Sequence, residues 1–384
     1  MKRLKLQIQR WRDAGRRCLG RWLFDRPLTT ASGCQLQACR RILLIRWDAK
    51  LGDAIVSSFL FRELRKANPA LSIEVITTEA MAGLFQESWQ PDRLYRCSKR
   101  AGYRELAQLA TEIGQVDLVV HFSKVFKMKD LYFIHRLAPQ HLAGLDDELS
   151  CVDIKLGQAC RSLHFADKFA RLLQQCGVGA VDTRYWLPRC AASELALRAT
   201  WPTDYPQIIA INPFGASRAR KLRQPAVLRL IALLKASAPE CGICLLYPPN
   251  ERHTVEQIVA QSGAPGLFYY QQSRTIYDVI AQLSAVDGLI SVDTATIHIG
   301  AGLGLPLLAL YNPDLENHAD WGPRNPLAQS LFSAAQPHDI NTLDWDAVNE
   351  GIVALLRKAR HHQVERRAPL SAPEGRAEGL SPTL

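Results

Sequence analysis

Arg41-Ile42-Leu43-Leu44-Ile45-Arg46 runs directly into Trp47-Asp48-Ala49-Lys50-Leu51-Gly52-Asp53. The first six residues are a short run, apolar except at its two ends, which is the pattern of a buried strand. The next residues form a turn. From Leu51 to Ala67 the apolar positions recur at helical spacing, and Asn68-Pro69 stops the pattern. Ser72 to Thr77 predicts the next strand. Val116 to Phe122 predicts another, after a helical stretch from Tyr103 to Ile113. Strands alternating with helices in this way predict parallel sheets built from βαβ units.

The pattern restarts after Trp201-Pro202-Thr203-Asp204-Tyr205-Pro206. Strands are expected at Ile208–Asn212, Ile243–Tyr247, Leu267–Tyr270, Gly288–Val292 and Pro306–Leu310. Helices fit between them at Pro225–Ala236, Glu251–Gln261, Thr275–Ser284 and Ala295–Leu303. Two consecutive α/β domains follow, joined near residues 190–206. The expected divisions are 1–40 as an amino-terminal extension, 41–195 and 196–362 as the two Rossmann-like domains, and 363–384 as a tail. The whole chain, at 384 residues, matches the roughly 150 residues per domain expected of two domains.

Composition narrows the class further. Apolar residues make up 47% and charged residues 22%, the balance of a globular chain able to bury a core without disulfides. The formal charge is +10 and the pI about 9.2, which fits a polyanionic partner. No nucleic-acid-binding module accompanies that charge, so no nucleic acid is expected. No continuously apolar stretch is long enough to span a bilayer, and the amino terminus lacks the pattern of a secretory signal. The ten cysteines are therefore expected to be reduced and mostly buried, including Cys241 and Cys244, which read as part of a strand. No second close-spaced pair completes a zinc site, and no metal constellation is visible.

The two ends differ from the body. Lys2, Arg3, Lys5, Arg10, Arg12, Arg16, Arg17, Arg21 and Arg26 are opposed only by Asp13 and Asp25, while Leu4, Ile8, Trp11, Cys18 and Trp22 share a stripe at helical spacing. A basic amphipathic helix with tryptophans on its apolar face suits a membrane interface, or simply packs on the domain behind it. Val364 to Leu384 is rich in Pro, Ala, Gly, Ser and charge and is expected to be a disordered tail.

Three strand-end turns offer chemistry, because ligands of open parallel sheets sit at the carboxyl ends of strands. In the first, Gly52 permits close backbone approach, and Asp53 is either a general base or a helix N-cap. The second, Asn212-Pro213-Phe214-Gly215-Ala216-Ser217-Arg218-Ala219-Arg220-Lys221, combines cations with small residues and suits a pyrophosphate, or is a solvated charge run. In the third, Ser291-Val292-Asp293-Thr294-Ala295-Thr296-Ile297-His298, the helix amides and the Thr294 hydroxyl favour an anion. Asp293 there accepts from sugar hydroxyls or caps the helix, and His298 is a site residue or a core histidine. Gly300-Ala301-Gly302-Leu303-Gly304-Leu305 fails as a dinucleotide fingerprint, since it ends a helix and lacks the last glycine.

These turns in this order resemble glycosyltransferase family 9, the ADP-heptose:lipopolysaccharide heptosyltransferases, over roughly residues 41–357. The most specific parts are Leu44-Ile45-Arg46 through Lys50-Leu51-Gly52-Asp53, then Val292-Asp293-Thr294-Ala295 with His298, Gly304, Pro306 and Tyr311-Asn312-Pro313, and later Trp321-Gly322-Pro323. The resemblance implies a GT-B fold, two Rossmann-like domains with parallel sheets facing across a cleft, acceptor domain first and donor domain second. It also implies inverting, metal-independent transfer of heptose from ADP-heptose to a lipid A–Kdo or inner-core acceptor, with no cofactor. On this resemblance Asp53 is the catalytic aspartate and Lys221 the phosphate-binding lysine. Asp293, Thr294, Ala295 and His298 form the donor turn, with Ser217 on the neighbouring turn and Glu251 near a ribose-binding position. Ala295 stands where the family often has Gly, and Asn312-Pro313-Asp314 where it often has Gly-Pro-Thr; both departures concern the donor side.

Inverting transfer needs a base for the acceptor hydroxyl and stabilisation of the departing diphosphate, and these residue types supply both. A phosphorylated, acidic acceptor at the cytoplasmic face of the inner membrane would account for the net charge and for the basic helix. Lys124, Lys127 and Lys129 are candidate acceptor contacts or a solvated face. The rival readings are the same fold acting on another nucleotide sugar, a sugar-nucleotide epimerase of GT-B architecture, and a non-catalytic binder of core oligosaccharide.

Overall fold

The computed structural model describes residues 2–28, 33–336 and 338–367. The helix α1 (Lys2–Phe24) leads into a first sheet made by β1 (Arg41–Arg46), β2 (Ser72–Thr77), β3 (Arg93–Arg96), β4 (Leu118–His121), β5 (His141–Gly144) and β6 (Ile154–Lys155). Its helices are α2 (Leu51–Val56), α3 (Phe59–Ala67), α4 (Glu79–Leu84), α5 (Tyr103–Ile113), α6 (Met128–Leu137) and α7 (Phe165–Gln175). After α8 (Ala191–Arg198) a second sheet is built from β7 (Ile208–Asn212), β8 (Gly242–Leu245), β9 (Leu267–Phe268), β10 (Gly288–Val292), β11 (Leu307–Tyr311) and β12 (Ala328–Phe332). Its helices are α9 (Gln224–Ser237), α10 (Arg252–Ser262), α11 (Ile276–Ser284), α12 (Ala295–Gly302), α13 (Leu315–Trp321) and α14 (Trp345–Arg367).

Both sheets are parallel. Their orders are β3-β2-β1-β4-β5-β6 and β12-β11-β10-β7-β8-β9. In each, the first strand of the domain lies at the centre, and the chain leaves it first to one side and then returns to build the other. The boundaries where the order reverses, β1 beside β4 and β7 beside β10, are the places where a sheet of this kind opens a crevice at its strand ends. The strands are nearly continuous apolar runs because helices cover both faces. Ile42 and Leu44 pack with Val56, Phe59 and Phe61 on one side, and Leu43 and Ile45 with Leu106, Ile134 and Phe133 on the other.

Several expected boundaries move. The helix expected over Leu51–Ala67 breaks into α2 and α3 because Ser57 and Ser58 turn their hydroxyls onto main-chain carbonyls of the preceding turn, and Ser58 Oγ also accepts from the Trp186 amide. The strand expected over Val116–Phe122 is shorter, Leu118–His121. Part of the expected extension belongs to the first domain, since Cys34, Leu36 and Cys39 are buried in its core. The expected division at 195/196 falls inside α8, whose Leu197 packs with Tyr270 and Ala281 of the second domain. The helix α14 runs to Arg367, and the remainder of the expected tail lies outside the described residues. All ten cysteines are free, and most are buried, Cys241 and Cys244 among them.

The amino-terminal helix packs on the first domain by one face. Arg17 and Arg21 bind Asp146 and Glu148, a side chain at Gly20 would press on Met128 of α6, and the Phe24 ring contacts Tyr132 and His135. The opposite face leaves Trp11 and Trp22 81% and 72% exposed. Among the described residues no helix is long and apolar enough to cross a membrane.

Candidate active site

A cleft of about 800 Å³ opens at the carboxyl ends of β1 and β4 and is closed on its far side by α13 of the second domain. Asp53 lines it from the first turn of α2, 18% exposed, with Lys50 Nζ 3.5 Å from its Oδ2. Burial pushes this carboxyl above the usual aspartate value. Arg46 and Lys50 pull it back, and Asp48 adds to the rise. Asp53 is not the N-cap, a place held by Lys50. Lys124, Lys127 and Lys129 line the same cleft, together with Lys99 and Arg100. Lys124 Nζ reaches Glu316 at 2.7 Å and Asp320 at 2.6 Å, and Lys129 Nζ bonds the Ala101 carbonyl.

The second turn folds tightly on itself. A Cβ at Gly215 would lie 2.2 Å from the Arg220 carbonyl oxygen, so only glycine admits this conformation. The Leu222 amide closes the turn on the Pro213 carbonyl, and Asn312 Nδ2 holds the Ala219 carbonyl at 3.1 Å. Lys221 Nζ then sits 2.7 Å from Glu251 Oε2 and 5.1 Å from the Phe214 ring centre. Although burial works against it, bonds from Lys221 and Thr254 hold the Glu251 carboxyl below its usual range. Ser217 is exposed on the same turn.

The third turn is tied to the second by Asn212, the last residue of β7. Its Nδ2 lies 2.9 Å from the Thr294 hydroxyl and 2.8 Å from that of Thr296. Thr294 occupies the N-cap position of α12 without a side-chain cap bond, because its hydroxyl is engaged by Asn212 and Thr296. Asp293 does not cap the helix either. It pairs with Arg220 at 3.0 Å and is held above the usual aspartate value by burial, against the pull of Arg220.

Helix α12 is also the seam between the domains. A Cβ on Gly52 would stand 2.8 Å from His298 Cδ2 and 3.6 Å from Ala295 Cα, so the residue beside Asp53 lies directly on α12. His298 is buried there, and its Nδ1 has no hydrogen-bond partner among the described residues. Burial lowers its pKa to about 3. A second seam joins α13 to α7. Lys168 and Asp320 form a buried ion pair at 2.6 Å, Trp321 stacks on Phe165 at 3.9 Å between centroids, and His164 Nε2 lies 3.1 Å from the Gly322 carbonyl.

The structure thus gathers the expected residues in two groups. Asp53 and the three lysines share the cleft. Lys221 and Glu251 meet each other, while Asp293, Thr294 and Ala295 form the neighbouring turn, and the packing of α2 on α12, Gly52 against Ala295 and His298, links the groups. Sequence reading passed over Asn212 as a functional position, and it missed Lys168 and Asp320, which lie 152 residues apart. Among the described residues no three His, Cys, Asp or Glu side chains gather as a metal site.

Two Rossmann-like domains facing across such a cleft are the GT-B fold. The sequence model of Glycosyltransferase family 9 (heptosyltransferase) matches residues 209–342. The protein named "Putative lipopolysaccharide heptosyltransferase 4" of Escherichia coli (strain K12) is 22% identical over 331 residues, 84% of this chain and 88% of that protein. Among solved structures, the glycosyl transferase family 9 protein from Veillonella parvula DSM 2008 superposes with a TM-score of 0.65 at 19% identity, covering 85% of this chain and 99% of that one. The E. coli ADP-heptose lps heptosyltransferase II gives 0.62 at 15% identity, with coverages of 83% and 99%. Residues 209–342 thus match the model of glycosyltransferase family 9, and the chain as a whole shares the fold of these solved structures.

Proposed function

We propose that the protein transfers heptose from ADP-heptose to a hydroxyl of the lipopolysaccharide core, a lipid A–Kdo or inner-core acceptor, with inversion and without a metal ion. The observation that supports this reading is the close packing of Gly52, the residue before Asp53, on Ala295 and His298. Asp53 takes the proton of the acceptor hydroxyl as its oxygen attacks the anomeric carbon. The bond to the diphosphate breaks on the opposite face, and the electron pair leaves with the nucleotide. Lys221, with Ser217 on its turn, and the first amides of α12 stabilise that developing charge. Glu251 and Asp293 hold Lys221 and Arg220 in place until the diphosphate arrives, and Thr294 is positioned by Asn212. Lys124, Lys127 and Lys129 line the acceptor side.

The test is the mass of truncated core oligosaccharides after incubation with ADP-heptose. A gain of one heptose is expected. Transfer only from another nucleotide sugar, or isomerisation of the nucleotide sugar with no acceptor present, would replace this reading.

The exposed Trp11 and Trp22 on a helix docked by its other face support peripheral binding at the cytoplasmic surface of the inner membrane. Removing residues 1–26 is expected to reduce cosedimentation with anionic vesicles, with the intact protein's binding weakening as salt rises. Equal sedimentation of both proteins would count against it.

A further inference from the structure

The two ends of β1 hold arginines in opposite conditions. Arg41 is engaged on all three nitrogens, with Glu74 on its Nε and Nη2, the Ile113 carbonyl also on Nη2 and the Gln115 carbonyl on Nη1. Arg46 is only 12% exposed, yet its Nε and Nη2 are buried without a hydrogen-bond acceptor among the described residues. Asp48 Oδ2 lies 3.9 Å from Nη2, beyond hydrogen-bond reach. Buried donors of a charged group are rarely left unmade, because their lost hydration has to be replaced.

The surroundings say what replaces it. Arg46 lines the cleft with Asp53, with Lys99 and Arg100, and with the apolar side chains of Leu60, Phe61 and Phe85. Asp48 and Asp53 lie near this charge, but neither accepts from Nε or Nη2, and a neutral hydroxyl would accept only one such bond. A carboxylate or phosphate accepts two from the planar guanidinium and neutralises it.

We propose that Arg46 is the specificity-determining residue of the acceptor site: its guanidinium receives a carboxylate or phosphate of the acceptor and thereby presents a neighbouring hydroxyl to Asp53. This rests on the reading of the cleft as the acceptor site. Arg46 takes no proton and forms no bond to the sugar; its role is to select the acidic acceptor and fix its orientation.

The experiment measures binding of three truncated core oligosaccharides to the full-length protein loaded with ADP: one intact, one with its carboxyl groups reduced to alcohols, one dephosphorylated. The parent is expected to bind the intact compound at least about 10-fold more tightly than one of the other two, and the weaker one identifies the acidic group. Arg46→Gln is expected to abolish that difference while leaving ADP affinity unchanged, and Arg46→Lys to retain part of it. If Arg46→Gln fails to fold, loss of most of the preference in Arg46→Lys carries the same expectation.

A preference that survives substitution would overturn the proposal. So would an Arg46→Gln enzyme whose kcat falls alike on all three compounds with a displaced acid limb of its pH profile, since Arg46 would then act only through Asp53. A parent that binds ADP but none of the oligosaccharides would overturn the acceptor reading and this proposal with it, whereas a parent that binds all three equally overturns this proposal alone.

Discussion

The turn after β1 and the turn after β7 occupy equivalent places in two domains of one plan, and they manage charge in opposite ways. On the donor side each key cation has its own counter-ion, Lys221 with Glu251 and Arg220 with Asp293. Asn212 and Asn312 pin the surrounding main chain and hydroxyls. After β1 the ion pairs are looser, Arg46 with Asp48 at 3.9 Å and Lys50 with Asp53 at 3.5 Å, and Arg46 Nε and Nη2 have no hydrogen-bond partner among the described residues. A self-neutralised turn keeps its shape whether or not a ligand is present. A turn with unmade donors has its hydrogen bonding completed by what binds, which fits the selectivity and proton transfer proposed for it.

The strongest way to break this comparison is Asp53→Asn. The side chain keeps its size but loses its basicity, and turnover is expected to fall by about 10²–10⁴-fold while melting temperature and ADP affinity hold. In the parent, the acid limb of kcat is expected above the ordinary aspartate range, because burial raises the Asp53 pKa and the reactive form is the deprotonated one. Activity should therefore be lost as pH falls through that raised value. Normal turnover in Asp53→Asn would remove it from the mechanism.

Lys221→Ala strikes the other side. The loss of a cation at the leaving diphosphate is expected to lower kcat by about 10²–10³-fold and to weaken ADP binding, measured by calorimetry. Arg220 stands on the same turn but is committed to Asp293, so compensation by it should be slight. Unchanged ADP affinity would show that the turn does not hold the diphosphate.

Lys168→Met tests whether the two sides are held together by the α13 seam. Breaking a buried pair costs about 3–5 kcal/mol when the remaining charge is stranded, and here Lys124 stays within 2.6 Å of Asp320, so the lower end is expected. Denaturant unfolding measures it, and a loss below about 1 kcal/mol would show that Lys124 alone suffices.

The smallest effect concerns two histidines, His298 of the α12 seam and His164 of the α13 seam. Burial depresses His298 to about 3 and His164 to about 4, so the folded state favours their neutral forms. Their contribution to stability is complete above the unfolded value near 6.5 and is lost as pH falls from there toward 3–4. His298→Leu should flatten the stability profile across that window. An unchanged slope would mean that the imidazole is not buried as described.

Much of this was legible in local pattern. The strands Arg41–Arg46, Ser72–Thr77, Ile208–Asn212 and Gly288–Val292 stand where their apolar runs predicted, because a strand covered on both faces has little freedom of composition. The short strands β5 and β6 and the helix α13 carry no comparable period and were not found. The break at Ser57-Ser58 was hidden because its cause is hydrogen bonding of two hydroxyls to the turn before them and to Trp186 far along the chain.

The sequence by itself determined two α/β units, the strand-end turns and the residue types on them. Strand and helix periods are set by neighbours a few residues apart, and turn chemistry by the residues in the turn. The tertiary structure alone decided which charges are satisfied. Lys221 meets Glu251 across 30 residues and Lys168 meets Asp320 across 152, while Arg46 Nε and Nη2 find no hydrogen-bond acceptor among the described residues. Coulomb energy and desolvation depend on distance in space and on burial, and neither is written in the spacing of residues along the chain.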